Sequence, residues 1–503
     1  MMKAWTGKRL RIDLSLQKAW TEDIPMGDLR QWFGGRGLNA SFVSQHFSCP
    51  SASSSPENPI AFAVGPLTGT LAPCSGWTSI ATFSPLSDPP GYAFIRMPGH
   101  FGASLKGAGF DQCILQGKAD RHVYLWIDNG KVKFEDASPF WGRETTETTV
   151  AIQEEKRDGS IEVLCIGPAG ERQHPFANVI HRLSWTGDRL GLGYLFGVKQ
   201  VKAIAIRGKK PVTLHDPRQF LDLCLTLKGR IQKDRKMQRL KETGRVSPLS
   251  LEGEETINDG NGWVLPGSEK HWVASLGTYL SGQESCFSCP VHCGRNIDHQ
   301  ETYRGGIHLE KAWHLGPKIG VYSAEWTLKL HRLCQAQGLD PFLTSSLLAR
   351  MMEGVEDGIL SEKDLRETDH IWEQGEKAFA LLNRIVRGGK NGFHPFVPTP
   401  SENNDLDVLA DIISFCMIVV NRLNLVTVSN MIKLIHAATG HTLSAEDLRD
   451  TVSKILEMEA HLQNKEIHLS HKPASPLLAE DQIKEIVKKE ERDNESIVHQ
   501  TTS

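Results

Sequence analysis

No window of this 503-residue chain approaches the ~20 consecutive apolar residues that a membrane-spanning helix needs. Charge of one sign is also missing. Lys and Arg number 57 against 60 Asp and Glu, a formal net charge of −3, so nothing electrostatic points to nucleic acid or an anionic membrane as partner. The opening residues, MMKAWTGKRLRIDLSL, lack the apolar core of a signal peptide and read as a short alternating strand. Ten cysteines without an export signal point to a reducing compartment, where thiols bind metal or stay free, and the cytoplasm is the expected location. Internal repeats are lacking too. What remains is an ordinary globular composition, 39% hydrophobic and 23% charged, long enough for two to four domains with sizeable cores.

The most informative residues are in SCFSCPVHCGRN, where Cys286, Cys289 and Cys293 stand at C-x2-C-x3-C spacing. Three thiolates so close in sequence can face one soft metal centre without straining the backbone. A fourth ligand is needed, and the cysteine far downstream is Cys416, inside DIISFCMIVV. Three clustered cysteines and one remote one suit a 4Fe–4S cluster, an electron-transfer device. Zinc is the rival, with His292 and His299 nearby as further ligands. The third reading is a set of free or simply buried cysteines.

The composition changes along the chain. More than half of the 45 glycines lie within residues 1–208, among strand-like runs such as NPIAFAVG, TSIATFSP, QCILQG, HVYLWID, IEVLCIG and VKAIAIRG. Turns and bulges account for most of these glycines. The denser loops GGRGLNA, MPGHFGASLKGAG and DRLGLGYLFG are candidates for bringing backbone N–H groups close to phosphates. From about residue 209 the pattern turns helical. Asp216-Pro217 reads as a cap and first helical position, followed by Phe220, Leu223, Cys224, Leu227 and Ile231 at helical spacing. Ser323 opens another helix, and Ser361–Asp364 and Ser444–Asp447 resemble capping boxes. Residues 406–420 form one apolar stripe with Cys416 at its edge, which equally suits a buried structural cysteine. The expected class is α+β, with a β-rich domain over 1–208. A helical domain over 209–387 carries the cysteine loop, a shorter helical domain spans 388–480 beyond a linker (388–405), and 481–503 is a charged tail.

Five long segments together resemble one family, the aldehyde ferredoxin oxidoreductases, which are tungsten- or molybdenum-pterin enzymes. They are GGRGLNA (34–40), NPIAFAVGPLTGTLAPCSG (58–76), GHFGASLKGAGFDQCILQGKAD (99–120), CIGPAGERQHPFANVI (165–180) and GYLFGVKQVKAIAIRGKK (193–210). The cysteine motif follows in order. The resemblance implies a β-rich base carrying two pterins beneath helical domains, a bridging magnesium ion and a 4Fe–4S cluster beside one pterin. The implied reaction turns an aldehyde and water into a carboxylic acid, with electrons leaving through the cluster to ferredoxin or a similar acceptor. A homodimer is usual in the family. The alternative is a catalytically impaired iron–sulfur homologue that serves as an electron-transfer or interaction subunit.

Carried over residue by residue, the resemblance makes Cys286, Cys289, Cys293 and Cys416 the cluster ligands. Cys416 closes a pterin motif, usually D-x-x-G-L-C, that here keeps Asp411 but has Ser414 for glycine. The other pterin motif, usually D-x-x-G-L-D, keeps Gly338, Leu339 and Asp340 but begins with Gln335, which offers a single amide oxygen in place of a carboxylate. Gly99, Arg189 and Gly191 are the expected cofactor contacts of the first domain, and Glu310 is the candidate acid/base group, with His308 two residues before it. There are departures. Trp77 stands where the family commonly places an arginine, and Asp188 puts a negative charge in a loop expected to cradle one. Leu365 to Asp411 spans only 47 residues, where the family has well over a hundred, including a histidine assigned to proton transfer. The run Gly191-x-Gly193 with Gly197 superficially resembles a dinucleotide fingerprint, but strand VKAIAI follows too soon for the required helix.

Overall fold

Strand alternation organises the amino-terminal half. In the computed structural model, which describes residues 3–87, 89–182, 185–187, 189–243, 268–299, 303–356, 374–387 and 405–463, the first 208 residues form two six-stranded mixed sheets. The first contains β1 (Lys8–Asp13), β2 (Lys18–Asp23), β3 (Ile60–Ala63), β4 (Thr78–Ser84), β5 (Gly91–Met97) and β6 (Gln112–Gln116), in the order β2-β1-β6-β3-β4-β5. The second contains β7 (Val123–Asp128), β8 (Lys131–Asp136), β9 (Glu162–Cys165), β10 (Ile180–His181), β11 (Trp185–Thr186) and β12 (Val201–Arg207), in the order β11-β10-β9-β12-β7-β8. Each sheet has one parallel pair, β1 with β6 and β7 with β12.

Because successive side chains of a strand point to opposite faces, each central strand feeds two cores. Ile60 and Phe62 of β3 meet Ile204 and Ile206 of β12 in a core shared by the two sheets. Their neighbours Ala61 and Ala63 face away, into a core built with helices, and Ala203 and Ala205 do the same on the far side of the second sheet, against Ile152 of the helix Thr145–Glu155. The β-rich reading of this half therefore holds.

The helices over the first sheet come from distant parts of the chain. The helix Gly35–His46 packs with Asp405–Ile413, Val428–Thr439 and Ala445–Leu462, and Pro217–Lys233 joins the same core through Phe220, Cys224, Leu227 and Ile231. The caps behave as their residue types require: Asp216 accepts from the Gln219 N–H, Ser323 from Trp326, and Ser444 with Asp447 forms a complete capping box. The Ser361–Asp364 box, most of the 388–405 linker, the tail and Asp188 lie outside the described residues.

Two features depart from the sequence expectation. The helical half contains a three-stranded antiparallel sheet, β13 (Leu280–Glu284), β14 (Gly294–His299) and β15 (Tyr303–Ile307), and the cysteine motif is the connection between β13 and β14. The 406–420 stripe is also not one helix. It stops at Ile413, turns through Ser414 at φ 65° and resumes as a π-helical turn over Ile418–Arg422. In addition, a helix does fit before β12, but Leu192–Val198 is only seven residues long.

The dense glycine loops are used for close approach between chain segments. A Cβ on Gly35, itself at φ 45°, would run into the Asp411 carbonyl oxygen, and one on Gly65 would lie 2.5 Å from the Ile413 carbonyl carbon. GGRGLNA is thus the start of a helix seated on the Asp411 segment, with Arg36 fully buried and hydrogen-bonded to Glu459 at 2.7 and 2.5 Å.

Candidate functional site

Four loops are laced together by backbone hydrogen bonds at the junction of the two halves. The Cys74 N–H donates to the Ser288 carbonyl (3.1 Å), and the Cys416 N–H donates to the Cys74 carbonyl (2.9 Å). Phe287 N–H donates to the Gly99 carbonyl at 3.0 Å, and Trp77 N–H to Ser414 at 3.4 Å. The Ser414 hydroxyl accepts from the Gly65 N–H at 2.7 Å. Ser414 therefore keeps the left-handed backbone that would favour glycine there and adds a hydrogen bond of its own.

This lacing brings the predicted sulfurs together. Cys286, Cys289, Cys293 and Cys416 all line one cavity of ≈790 Å³, open to solvent at its mouth. A fifth sulfur, Cys74, lines it as well and lies 3.7 Å from the Cys289 sulfur. Burial, and then the nearby sulfurs of Cys289, Cys293 and Cys416, push the Cys286 thiol well above its usual range. Contact with Cys289, followed by burial, does the same to Cys74, while the hydrogen bond from Cys74 lowers Cys289. Thiolates crowded this way repel one another unless a cation lies between them. Among the described residues no three His, Cys, Asp or Glu side chains close to the spacing of a single-ion site. A lone tetrahedral ion draws its sulfurs to within ~3.8 Å of one another, given metal–sulfur bonds of about 2.3 Å. Four thiols around one cavity are the donor type that an iron–sulfur cluster would need.

The same cavity takes in Trp77, Arg96, His308, Glu310, Lys311 and Phe342. Glu310 is half-buried in the first turn of the helix Leu309–Leu315, and buried His308 immediately precedes that helix. Buried Lys311 donates to the Thr186 hydroxyl. Arg96, on β5 opposite Ser79, extends one N–H group (Nη1) that is buried and unpartnered, while its Nε lies 3.1 Å from the Asp411 carboxylate.

Asp411 is completely buried. Arg96 and Arg36 (3.5 Å) flank it, yet neither carboxylate oxygen has a hydrogen bond. Burial, opposed by the two arginines, pushes its carboxyl up to about 6. An orphaned, destabilised carboxylate beside a cavity is what a ligand rich in N–H donors would satisfy. The pterin expectation fits at this end.

At the other end the expected contacts are engaged within the chain. Asp340 accepts from the Phe342 and Leu343 N–H groups at 2.9 and 3.0 Å, from Asn178 at 3.3 Å and from the Arg189 N–H. Buried Leu339 is bridged to Ala177. Arg189 is exposed, with its guanidinium 4.6 Å from the Phe342 ring. Gly191, at φ 70°, precedes the helix Leu192–Val198 and sits against Pro85. Cys74, Arg96, Lys311 and Phe342 escaped the sequence reading. Cys74 had a visible signal, a cysteine inside one of the segments that carry the resemblance.

Comparison with known proteins gives a consistent result. Residues 9–208 match "Aldehyde ferredoxin oxidoreductase, N-terminal domain", and residues 249–393 match "Aldehyde ferredoxin oxidoreductase, domains 2 & 3". The tungsten-containing aldehyde ferredoxin oxidoreductase of Pyrococcus abyssi is 33% identical over 371 residues, covering 72% of this chain and 61% of the relative. The aliphatic sulfonate oxidoreductase, WOR-like subunit, of Pyrococcus furiosus is 26% identical over 411 residues, covering 76% and 64%. The chain thus spans less than two-thirds of the length of these relatives. Among solved structures, a chain of the active site complex BamBC of benzoyl coenzyme A reductase matches with a TM-score of 0.77 at 20% identity, over 92% of this chain and 89% of that one, a likeness of fold.

Proposed function

Because the chain belongs to the aldehyde ferredoxin oxidoreductase family, we propose that it is an oxidoreductase that oxidises an aldehyde to a carboxylic acid. Its electrons would leave through a 4Fe–4S cluster held by Cys286, Cys289, Cys293 and Cys416. The observation that supports this most is the single cavity that joins those four cysteines to Glu310 and Arg96. Bound there, a tungsten- or molybdenum-pterin centre with its magnesium ion would supply the two-electron chemistry, and a cluster on the four cysteines would supply a one-electron exit.

The chain's own residues hold and orient. Asp411 would accept hydrogen bonds from the pterin, which would lower its carboxyl from about 6 and offset the burial penalty. Arg96, with its free Nη1, provides the positive charge that Trp77, just before the neighbouring strand, lacks, and would meet anionic parts of the cofactor. Glu310, in the cavity wall, takes the proton of the attacking water and returns it to solvent at the mouth. Lys311, anchored on Thr186, holds positive charge beside that carboxylate. Small aldehydes are the substrates, a ferredoxin-like protein is the acceptor, and the working location is the cytoplasm.

One observation favours the second reading, an impaired iron–sulfur subunit: Asp340 is already engaged by four donors of the chain itself. Metal analysis of anaerobically purified protein distinguishes the two. Four irons per chain with tungsten or molybdenum, and dye-linked oxidation of acetaldehyde or crotonaldehyde, support the enzyme. Iron without the heavier metal supports the subunit. Zinc alone removes both.

A further inference from the structure

Large apolar side chains in open water are unevenly distributed on this molecule. Among the described residues Leu16, Trp20, Leu71, Val150, Leu221 and Leu225 are well exposed. Three of these six, Leu71, Leu221 and Leu225, line one groove on the outer side of the cysteine loop, together with Cys286 and Cys289. The helix Pro217–Lys233 explains the alignment. Its buried stripe is Phe220, Cys224, Leu227 and Ile231, which satisfies the fold. Leu221, Leu225, Lys228 and Gln232 form an adjacent stripe, at spacings of four, three and four, that faces the groove. Two leucines left exposed beside a third, Leu71, in one groove are unneeded for folding and mark a contact surface.

Charge and position identify the partner. From Pro217 to Thr243 the two successive helices carry Arg218, Lys228, Arg230, Lys233, Arg235, Lys236, Arg239 and Lys241 against Asp222, Asp234 and Glu242, a local excess of positive charge in a chain whose net charge is −3. Cys286 and Cys289 line both this groove and the inner cavity, so the cysteine loop borders the two on opposite sides. A molecule seated in the groove lies against two of the proposed cluster ligands.

We propose that this groove is the docking face for a small acidic iron–sulfur carrier protein. Leu71, Leu221 and Leu225 form the apolar centre, Lys228 stands at its edge, and the net positive charge of the two helices steers the approach. Each encounter moves one electron from the cluster to the carrier, oxidising one and reducing the other, with no proton transferred. Transient redox contacts are small, which a single groove can supply. The electron-transfer step rests on the cluster assigned above, whereas docking does not, and the test separates them.

The experiment titrates the full-length, iron-loaded protein with a small acidic 4Fe–4S ferredoxin by calorimetry, at low and at moderate salt. Reduction of the cluster by a viologen is followed in parallel by stopped flow. Leu225→Glu and Lys228→Glu, both at exposed positions, are each expected to weaken carrier binding about tenfold. Leu16→Glu, remote in sequence and also exposed, should bind as wild type does. Raised salt should weaken wild-type binding, and viologen rates should stay unchanged throughout. Equal affinity of the two groove variants and wild type overturns the proposal. So does wild-type protein that ignores the ferredoxin, or that binds a basic haem carrier of similar size as tightly. Carrier that binds but is not reduced by the viologen-reduced protein supports the docking face while removing the cluster assignment.

Discussion

Replacing Asp411 with asparagine tests whether its buried carboxylate is kept for a ligand. The folded chain holds this carboxyl at about 6, against 3.8 for an ordinary aspartate, because burial outweighs the attraction of Arg96 and Arg36. The sign follows from which state holds the proton. Between about pH 4 and 6 the folded protein keeps a proton that the unfolded chain has released, so stability is highest below pH 4 and is lost as the pH rises through 6. Above pH 7 the full penalty applies, about 3 kcal/mol for that difference. Asparagine has the same shape and no charge. Arg36 remains bonded to Glu459, and the asparagine amide oxygen still faces the Arg96 Nε. Metal-free Asp411→Asn should therefore resist urea better than wild type at pH 8, by up to ~3 kcal/mol, with the gain shrinking toward pH 5. The check is a pair of urea titrations at the two pH values followed by circular dichroism. A variant less stable at pH 8, or a difference that ignores pH, would refute the reasoning. In loaded protein the same variant should keep its iron and lose tungsten or molybdenum.

Three further outcomes are expected. Cys74→Ala removes a hydrogen bond to a cluster ligand and should lower the cluster's midpoint potential with iron content unchanged, whereas Cys74→Ser keeps a donor and should not; a redox titration monitored by electron paramagnetic resonance decides. Gly35→Ala forces a Cβ into the Asp411 carbonyl at φ 45° and should destabilise the protein by about 3 kcal/mol, read as a lower urea midpoint. Glu310→Gln should reduce aldehyde turnover by roughly 10²-fold or more while tungsten and iron contents stay level, and unchanged turnover would remove it from proton handling.

Much of the fold was legible because short-range rules govern it. Strands such as VKAIAIR alternate between two cores, and the caps at Asp216, Ser323 and Ser444 form the hydrogen bonds their side chains are built to make. The sheet β13–β15 was not legible. LSGQE, GRNIDH and YRGGI are short, polar and glycine-bearing, so their strand character comes from pairing with one another around the cysteine loop. The break at Ile413 was hidden for a similar reason. Apolar spacing continues through it, and only the close passage of Gly65 and the hydrogen bond to Ser414 require the turn.

On its own, the order of residues determined which side chains are candidates for the chemistry: three cysteines at fixed spacing, a fourth far away, and an aspartate in a recurring motif. Those are properties of identity and separation along the chain. Tertiary structure alone decided that Cys74 joins the sulfurs, that Arg96 stands near Trp77, and that Asp340 is spent on its own backbone. Contacts between segments hundreds of residues apart depend on how whole cores pack, and no local pattern encodes that packing.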